Sequence, residues 1–185
     1  MIESLKKQLE CENVKYEDLT FKLYGLFSGD VYERLWIDLP DLWDFNYASL
    51  LQGKMAEELE AVAPYLVELS SESEYFDEIL ESYGKNGCIF FCTPLGFDEA
   101  LERMREIFIV HDENGAEGYL RFYSPDIFRT LIKKHNLELL RNMFKQIMYF
   151  YCEVEDDAMT LNRYRYDAKS LQIEPLFLEE ESNSK

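Results

Sequence analysis

Residues 88–108, CIFFCTPLGFDEALERMREIF, decide the fold that the sequence predicts. The run Cys88–Cys92 is short, apolar and unbroken between turn-forming residues, which is typical of a strand buried on both faces. Behind it, apolar residues recur at the three-to-four-residue spacing of one helix face; they are Phe97, Leu101, Met104 and Phe108. The polar residues between them, including Arg103, are predicted to lie on the opposite side. The segment therefore predicts a central strand followed by an amphipathic helix that packs across a sheet.

A hairpin and a second helix follow this unit. Strands are predicted over 107–111 and 118–123, because they flank Asn114-Gly115, a pair that tolerates the positive φ angles of a tight turn. Ser124 and Pro125 then predict a helix start, since a serine oxygen can accept a free amide and proline needs no amide at the first helical position. This helix is predicted to run to about residue 134.

The N-terminal half is predicted to alternate helices and strands around one broken segment. The first predicted elements are a short amphipathic helix in the first ten residues, a strand over 21–27 and an irregular or partly helical segment over 31–51 that Pro40 breaks in two. They are followed by a helix over 55–62, an edge or entering strand over 63–67 and a helix over 74–83 capped by Ser73.

The C-terminal half predicts a helix over 137–147 and a second hairpin, 148–154 with 159–166, around an acidic turn. This order of elements predicts a single α/β domain of mixed α+β type. Its central mixed sheet is expected to have about five to seven strands with helices packed on it. We assign 1–19 to an N-terminal helix and lead-in, 20–168 to the main domain and 169–185 to a C-terminal segment with an acidic tail.

The composition favours a folded, acidic protein. Hydrophobic residues make up 47% of the 185 and aromatic residues 15%, which is enough for one core. The formal net charge of -18 leaves too few cations to bind a run of phosphates or an anionic membrane, so we expect neither partner. No signal peptide or apolar span of about 18 residues occurs, so we expect a cytoplasmic protein. Its four cysteines, expected as reduced thiols, are Cys11, Cys88, Cys92 and Cys152.

Residues that could carry catalysis or bind metal are few. The two histidines, His111 and His135, fall at a hairpin turn and a helix end, where an imidazole is ordinarily a surface residue. Cys88 and Cys92 share a strand face but have no second ligand pair to complete a zinc site. Phosphate-loop, dinucleotide, nucleophile-elbow and zinc-protease motifs do not occur. We expect no enzyme activity, no cofactor and no metal; a small hydrolase that uses His111 or His135 is one alternative.

The segment 120–126, LRFYSPD, is the most distinctive of the chain. Strand alternation predicts Tyr119, Arg121 and Tyr123 on one sheet face, opposite to Leu120. Aromatic rings and arginines of this kind are enriched in binding hot spots. An arginine on a sheet also commonly pairs with a structural carboxylate, and the residues alone leave both interpretations open.

This segment resembles the hallmark strand of the type VI secretion effector adaptor-chaperone family, catalogued as a domain of unknown function, which reads roughly F-R-[FY]-[YW]-D-P. Other stretches resemble the family's remaining motifs in the same order; they are 23–29 (LYGLFSG) for its opening YALLDGA, 63–67 (APYLV) for its G-P-[WY]-L-V, 88–91 for its apolar strand and 101–105 (LERMR) for its L-x-H-L-R helix. The resemblance covers about residues 20 to 155. It implies a non-catalytic adaptor domain that binds a toxic effector in the bacterial cytoplasm and brings it to a VgrG-type spike protein.

The sequence departs from the family pattern at three positions. The aspartates after the first strand and before the motif proline are Ser28 and Ser124 here, and the helix histidine is Arg103. An ion pair of such an aspartate with Arg121 or Arg105 would be lost, unless another carboxylate replaces it.

The resemblance implies a partner-binding surface. We expect Arg121, Tyr123 and Pro125 to contact or organise it, with Arg105 and Tyr65 nearby. A second hypothesis rests on charge alone: an acidic decoy could imitate DNA phosphates and inhibit a basic protein that handles nucleic acids.

Overall fold

Seven strands form one antiparallel sheet in a computed structural model of the chain. The structure describes residues 1–9, 19–32, 35–41, 45–70, 73, 75–80, 83–167 and 170–179. The strands within these ranges are β1 (Lys22–Ser28), β2 (Tyr47–Ser49), β3 (Pro64–Leu69), β4 (Cys88–Thr93), β5 (Ile109–His111), β6 (Glu117–Tyr119), β7 (Tyr149–Val154), β8 (Asp157–Tyr166) and β9 (Leu171–Phe177). Strands β5 and β6 form a separate hairpin.

The sheet has the order β2-β3-β1-β4-β7-β8-β9, which places β2 and β9 at its two edges. The predicted α+β class, strand number and single domain are confirmed. The sheet is antiparallel throughout, however, and not mixed in strand direction. The short connections from β7 to β8 and from β8 to β9 permit only antiparallel pairing, whereas the directions of β1, β3 and β4 follow from contacts distant in sequence.

Helices cover the sheet and account for the remaining regular structure of the described ranges. They are α1 (Ile2–Leu9), α2 (Leu35–Asp41), α3 (Gly53–Glu58), α4 (Phe76–Leu80), α5 (Phe97–Phe108), α6 (Pro125–Lys133) and α7 (Leu137–Met143), with a 3-10 turn at Glu60–Val62 after α3. None of these helices combines the length and the apolar character needed to cross a membrane.

The core is built on a row of aromatic rings that crosses the sheet. Tyr24, Phe91, Phe150 and Tyr164 are successive register partners on β1, β4, β7 and β8. The ring of Phe128, on α6, lies 5.3 Å from that of Phe150 and 5.2 Å from that of Tyr164. All five residues are buried, so this face of the sheet is sealed by α6.

The predicted break at Pro40 is wrong, because α2 continues through this proline to Asp41. Leu35 and Leu39 lie four residues apart and are both buried. Burial of this helical face outweighs the local preference of a residue before proline for extended backbone.

Several predicted features fall partly or wholly outside the described residues. They include Cys11, residues 74, 81 and 82 of the helix predicted over 74–83, and the tail from 180 to 185. The other three cysteines, Cys88, Cys92 and Cys152, are buried free thiols.

Candidate partner-binding site around Arg121

The chain leaves the β5–β6 hairpin earlier than predicted. Strand β6 ends at Tyr119, and the amide of Ser124 donates to the carbonyl oxygen of Arg121 at 3.0 Å, which closes a turn. Phe122 and Tyr123 are consequently both buried, whereas Arg121 is exposed. The prediction that Tyr123 shares a sheet face with Tyr119 and Arg121 is therefore wrong, because a turn directs two successive rings into the core and a strand would separate them.

Arg121 connects this turn to the end of β1. Its Nη2 donates to Oδ2 of Asp30 at 2.6 Å, and the hydroxyl of Ser28 donates to the same carboxylate. The guanidinium also lies 5.8 Å from the ring centroid of Tyr123, within cation–π range. We call these four residues, Ser28, Asp30, Arg121 and Tyr123, the Arg121 site. About half of the arginine side chain, 53%, remains exposed to a partner.

Asp30 supplies the carboxylate that the family pattern places at position 28. Desolvation disfavours its charge, but the hydrogen bonds from Ser28 and Arg121 and the arginine's charge outweigh this effect and lower the pKa of Asp30. The hydrogen bond to Asp30 in turn raises the pKa of Arg121. The ion pair that the sequence departure put in question is thus present, with a different acidic residue.

The other three predicted residues lie on neighbouring elements in different environments. Arg105 donates to the carbonyl oxygen of Ser49 on β2, and Tyr65 donates to that of Glu60, at 2.9 and 3.0 Å. Burial raises the pKa of Tyr65 to about 12. Pro125 is buried as the first residue of α6. These contacts support the scaffold, and only Arg121 of the five presents a largely exposed side chain.

Arg103 is buried, which contradicts its predicted place on the solvent side of α5. It donates to the carbonyl oxygen of Asn142 in the last turn of α7, to that of Lys145 just beyond the helix, to the side chain of Asn142 and to Glu106. Carbonyl groups at a helix end lack intrahelical donors, so a long cation here satisfies groups that periodicity cannot reveal. The serine before Pro125 occupies the N-cap of α6 as predicted, but its side chain makes no capping hydrogen bond.

An exposed apolar face lies next to the Arg121 site and was not predicted. Met55, Leu59 and Val62 follow one another at the spacing of a helix face, and their exposed fractions are 37%, 43% and 49%. We call these residues the α3 stripe. The amide of Gly29 donates to the carbonyl oxygen of Ala63 at 3.0 Å. This bond joins the segment that carries Asp30 to the segment that carries Val62, so the stripe and the Arg121 site are neighbours. The sequence shows the helical spacing, but not that this face points outward.

A polar concavity of about 410 Å³ lies away from these two surfaces, between α6 and the β7–β8 turn. Arg129 donates to the carbonyl oxygen of Glu153 at 3.0 Å and to the carboxylate of Asp126, and the carboxylate of Glu153 accepts the Gly84 amide at 2.8 Å. Desolvation raises the pKa of Glu153 despite such bonds. The hydrogen bonds of these charged groups are made to one another and to backbone groups, so they join α6 to the sheet. Within the described ranges, no three His, Cys, Asp or Glu residues are placed to hold a metal ion.

Comparison with known proteins identifies the family. A family model described as "Domain of unknown function (DUF4123)" matches residues 23–142, which is more than half of the chain. The matched range includes the Arg121 site and the α3 stripe. No curated protein and no solved structure matches the chain. The match agrees with the resemblance seen in the sequence at the level of the family, and the chain belongs to the DUF4123 family.

Proposed function

We propose that this protein is a cytoplasmic adaptor-chaperone that binds a type VI secretion effector and loads it onto a VgrG-type spike protein. The observation that carries the proposal is the family match over residues 23–142, together with the ordered motifs by which the chain resembles effector adaptors. The match includes LRFYSP, the segment that contains Arg121.

The Arg121 site and the α3 stripe are suited to grip a protein. An arginine that is partly exposed, held by Asp30 and placed over an aromatic ring is pre-organised, so little side-chain entropy is lost on binding. The neighbouring stripe offers apolar area for a partner to bury. Glu57, Glu58 and Glu60 lie between and beside its members, so a complementary surface on the effector would be apolar with basic residues at its rim.

A non-catalytic role is part of this proposal. His111 and His135 are exposed at the end of β5 and beyond α6, and neither is hydrogen-bonded to a nucleophile in the described part of the chain. Burial raises the pKa of Cys88 and Cys152, which makes them poor nucleophiles. These two histidines and two cysteines are thus poorly placed to start acyl or phosphoryl transfer.

The experiment is co-expression of the tagged chain with the protein encoded by the adjacent gene and with a VgrG-type spike protein, followed by affinity measurement. Arg121→Ala and Leu59→Ser should each weaken effector binding by about tenfold or more, whereas Arg141→Ala, on the exposed side of α7, should not. Circular dichroism establishes that each variant is folded.

Two results would contradict the proposal in different ways. Unchanged affinity in both folded variants would remove this surface from the interface. Failure of the wild-type chain to bind either protein would remove the adaptor function. Binding to a nucleic-acid-handling protein that DNA competes away would support the acidic decoy instead.

A further inference from the structure

We propose that the outer edge of β9 is a second protein-docking surface, which takes an extended segment with alternating apolar and basic residues. Strand β9 lies outside the range of the family match. The inference concerns a surface distinct from the Arg121 site and does not depend on the identity of the effector.

One face of β9 is apolar along its whole length. Alternation places four residues on this face, which we call the β9 stripe; they are Leu171, Ile173, Pro175 and Phe177. Ile173 is 50% exposed and Phe177 is 71% exposed. Single exposed apolar residues are common on protein surfaces, but a continuous row on an edge strand is not. The row is therefore a candidate interface.

The backbone of the same residues faces away from the sheet. The amide of Leu178 donates to the carbonyl oxygen of Met159 at 2.8 Å, so Leu178 belongs to the set that bonds to β8. In an antiparallel ladder such residues alternate with residues whose amide and carbonyl groups point outward. Leu171, Ile173 and Phe177 thus direct their amides away from β8, and among the described strands none pairs with this edge. An incoming strand would find both hydrogen-bonding groups and apolar side chains in register.

The charge around the stripe selects a basic partner. Glu155, Asp156 and Asp157 form or follow the turn beside the Phe177 end, and Glu179 follows β9. Arg163 on the neighbouring strand is already paired with Glu174 on the opposite face.

A second copy of this chain fits the edge less well. Each copy carries a net charge of -18, and Pro175 lacks an amide in the middle of the edge. Both features oppose symmetric pairing of two β9 strands. A basic, extended segment of another protein avoids the charge repulsion and meets one Pro175, whereas a symmetric pair contains two.

The location allows two partners at once. Strand β9 and strand β1, whose last residue is Ser28 of the Arg121 site, are separated by four inter-strand steps of about 4.8 Å, or roughly 19 Å. A segment added at β9 would therefore lie clear of the Arg121 site.

The test uses a fluorescent synthetic decapeptide in which valine alternates with lysine and threonine, and a twin with glutamate in place of lysine. The full chain should bind the lysine peptide, and the glutamate twin should bind at least about tenfold more weakly. The double variant Ile173→Ser/Phe177→Ser should lose at least about tenfold in affinity. Arg121→Ala and Ile127→Ser, which alters an exposed residue on α6, should bind as the wild type does. Hydrogen exchange should show the amides of Ile173 and Phe177 protected by the peptide.

Three results would overturn the proposal. The first is equal binding of the two peptides, and the second is unchanged peptide binding by the folded double variant. The third is a wild-type protein that is dimeric while the double variant is monomeric, since this would assign the edge to a second copy. Because Arg121→Ala leaves this surface intact, loss of effector binding and loss of peptide binding are scored separately.

Discussion

Replacing Arg103 by methionine tests the assignment of this buried cation to the scaffold. Arg103 is 3% exposed, and its Nε donates to the carbonyl oxygen of Lys145 at 3.2 Å. Its Nη2 donates to the carbonyl oxygen of Asn142 and to its Oδ1, the latter at 3.0 Å. Methionine keeps most of the apolar stem but removes every donor. The carbonyl oxygen of Lys145 would then lose this donor, whereas that of Asn142 still accepts the amide of Lys145 at 3.3 Å.

The magnitude follows from the carbonyl group of Lys145. A buried acceptor that loses its donor costs about 1–3 kcal/mol. Glu106, another acceptor of Arg103, is largely exposed and regains water without penalty. We therefore expect Arg103→Met to lower the free energy of unfolding by about 1–3 kcal/mol. For a chain of this size, that corresponds to a fall in Tm of roughly 2–12 °C.

Urea denaturation followed by circular dichroism measures this change. The matched control is Arg141→Met on the exposed side of α7, which should stay within about 0.5 kcal/mol of the wild type. If Arg103→Met also stayed within that range, the carbonyl group of Lys145 would have another donor and the structural role given to Arg103 would be refuted.

Burial and ionisation determine three other outcomes. Phe128→Ala removes a fully buried ring and should lower the free energy of unfolding by about 3–5 kcal/mol, whereas Phe177→Ala should change it by less than about 0.5 kcal/mol; equal effects in urea denaturation would contradict this contrast. The raised pKa of Glu153 means that folding takes up a proton, so wild-type stability should fall as pH rises from the ordinary glutamate value through the raised one. Glu153→Gln should flatten that fall in thermal melts, and parallel curves would exclude this contribution. In Cys11→Ser, the three remaining thiols should react with a disulfide reagent only after denaturation, since burial raises the pKa of Cys152 to about 12; rapid reaction of the native protein would argue against their burial.

The fold was predictable where the signal is local. The apolar run of β4, the helical spacing of α5 and the Asn114-Gly115 turn each depend on residues within a few positions of one another. Each is present in the structure, with Gly115 at a φ of 80°. The continuity of helix α2 through Pro40 and the presence of strand β9 were not predicted. The first depends on tertiary burial that overrides the proline. The second depends on pairing with β8 rather than on a strong apolar pattern of its own.

The candidate site was predictable only in part, for a similar reason. The sequence drew attention to Arg121 and to the missing aspartate at Ser28, but not to the carboxylate that takes its place. Asp30 lies 91 residues from Arg121 in the sequence, and no periodicity connects positions so far apart. Tyr123 was assigned to the wrong environment because one turn after Tyr119 ends the alternation on which the assignment rested.

Arg103, Arg121 and Arg129 differ in what they can contribute to the protein. Arg103 and Arg129 are buried and bond to carbonyl groups, so their loss is felt as instability. Arg121 forms an ion pair whose members are 53% and 39% exposed, and such a pair stabilises a protein by no more than about 1 kcal/mol. Stability therefore gives little reason for a positioned guanidinium at this surface. A planar cation held over a ring, beside an exposed apolar stripe, is better explained by a partner that binds there.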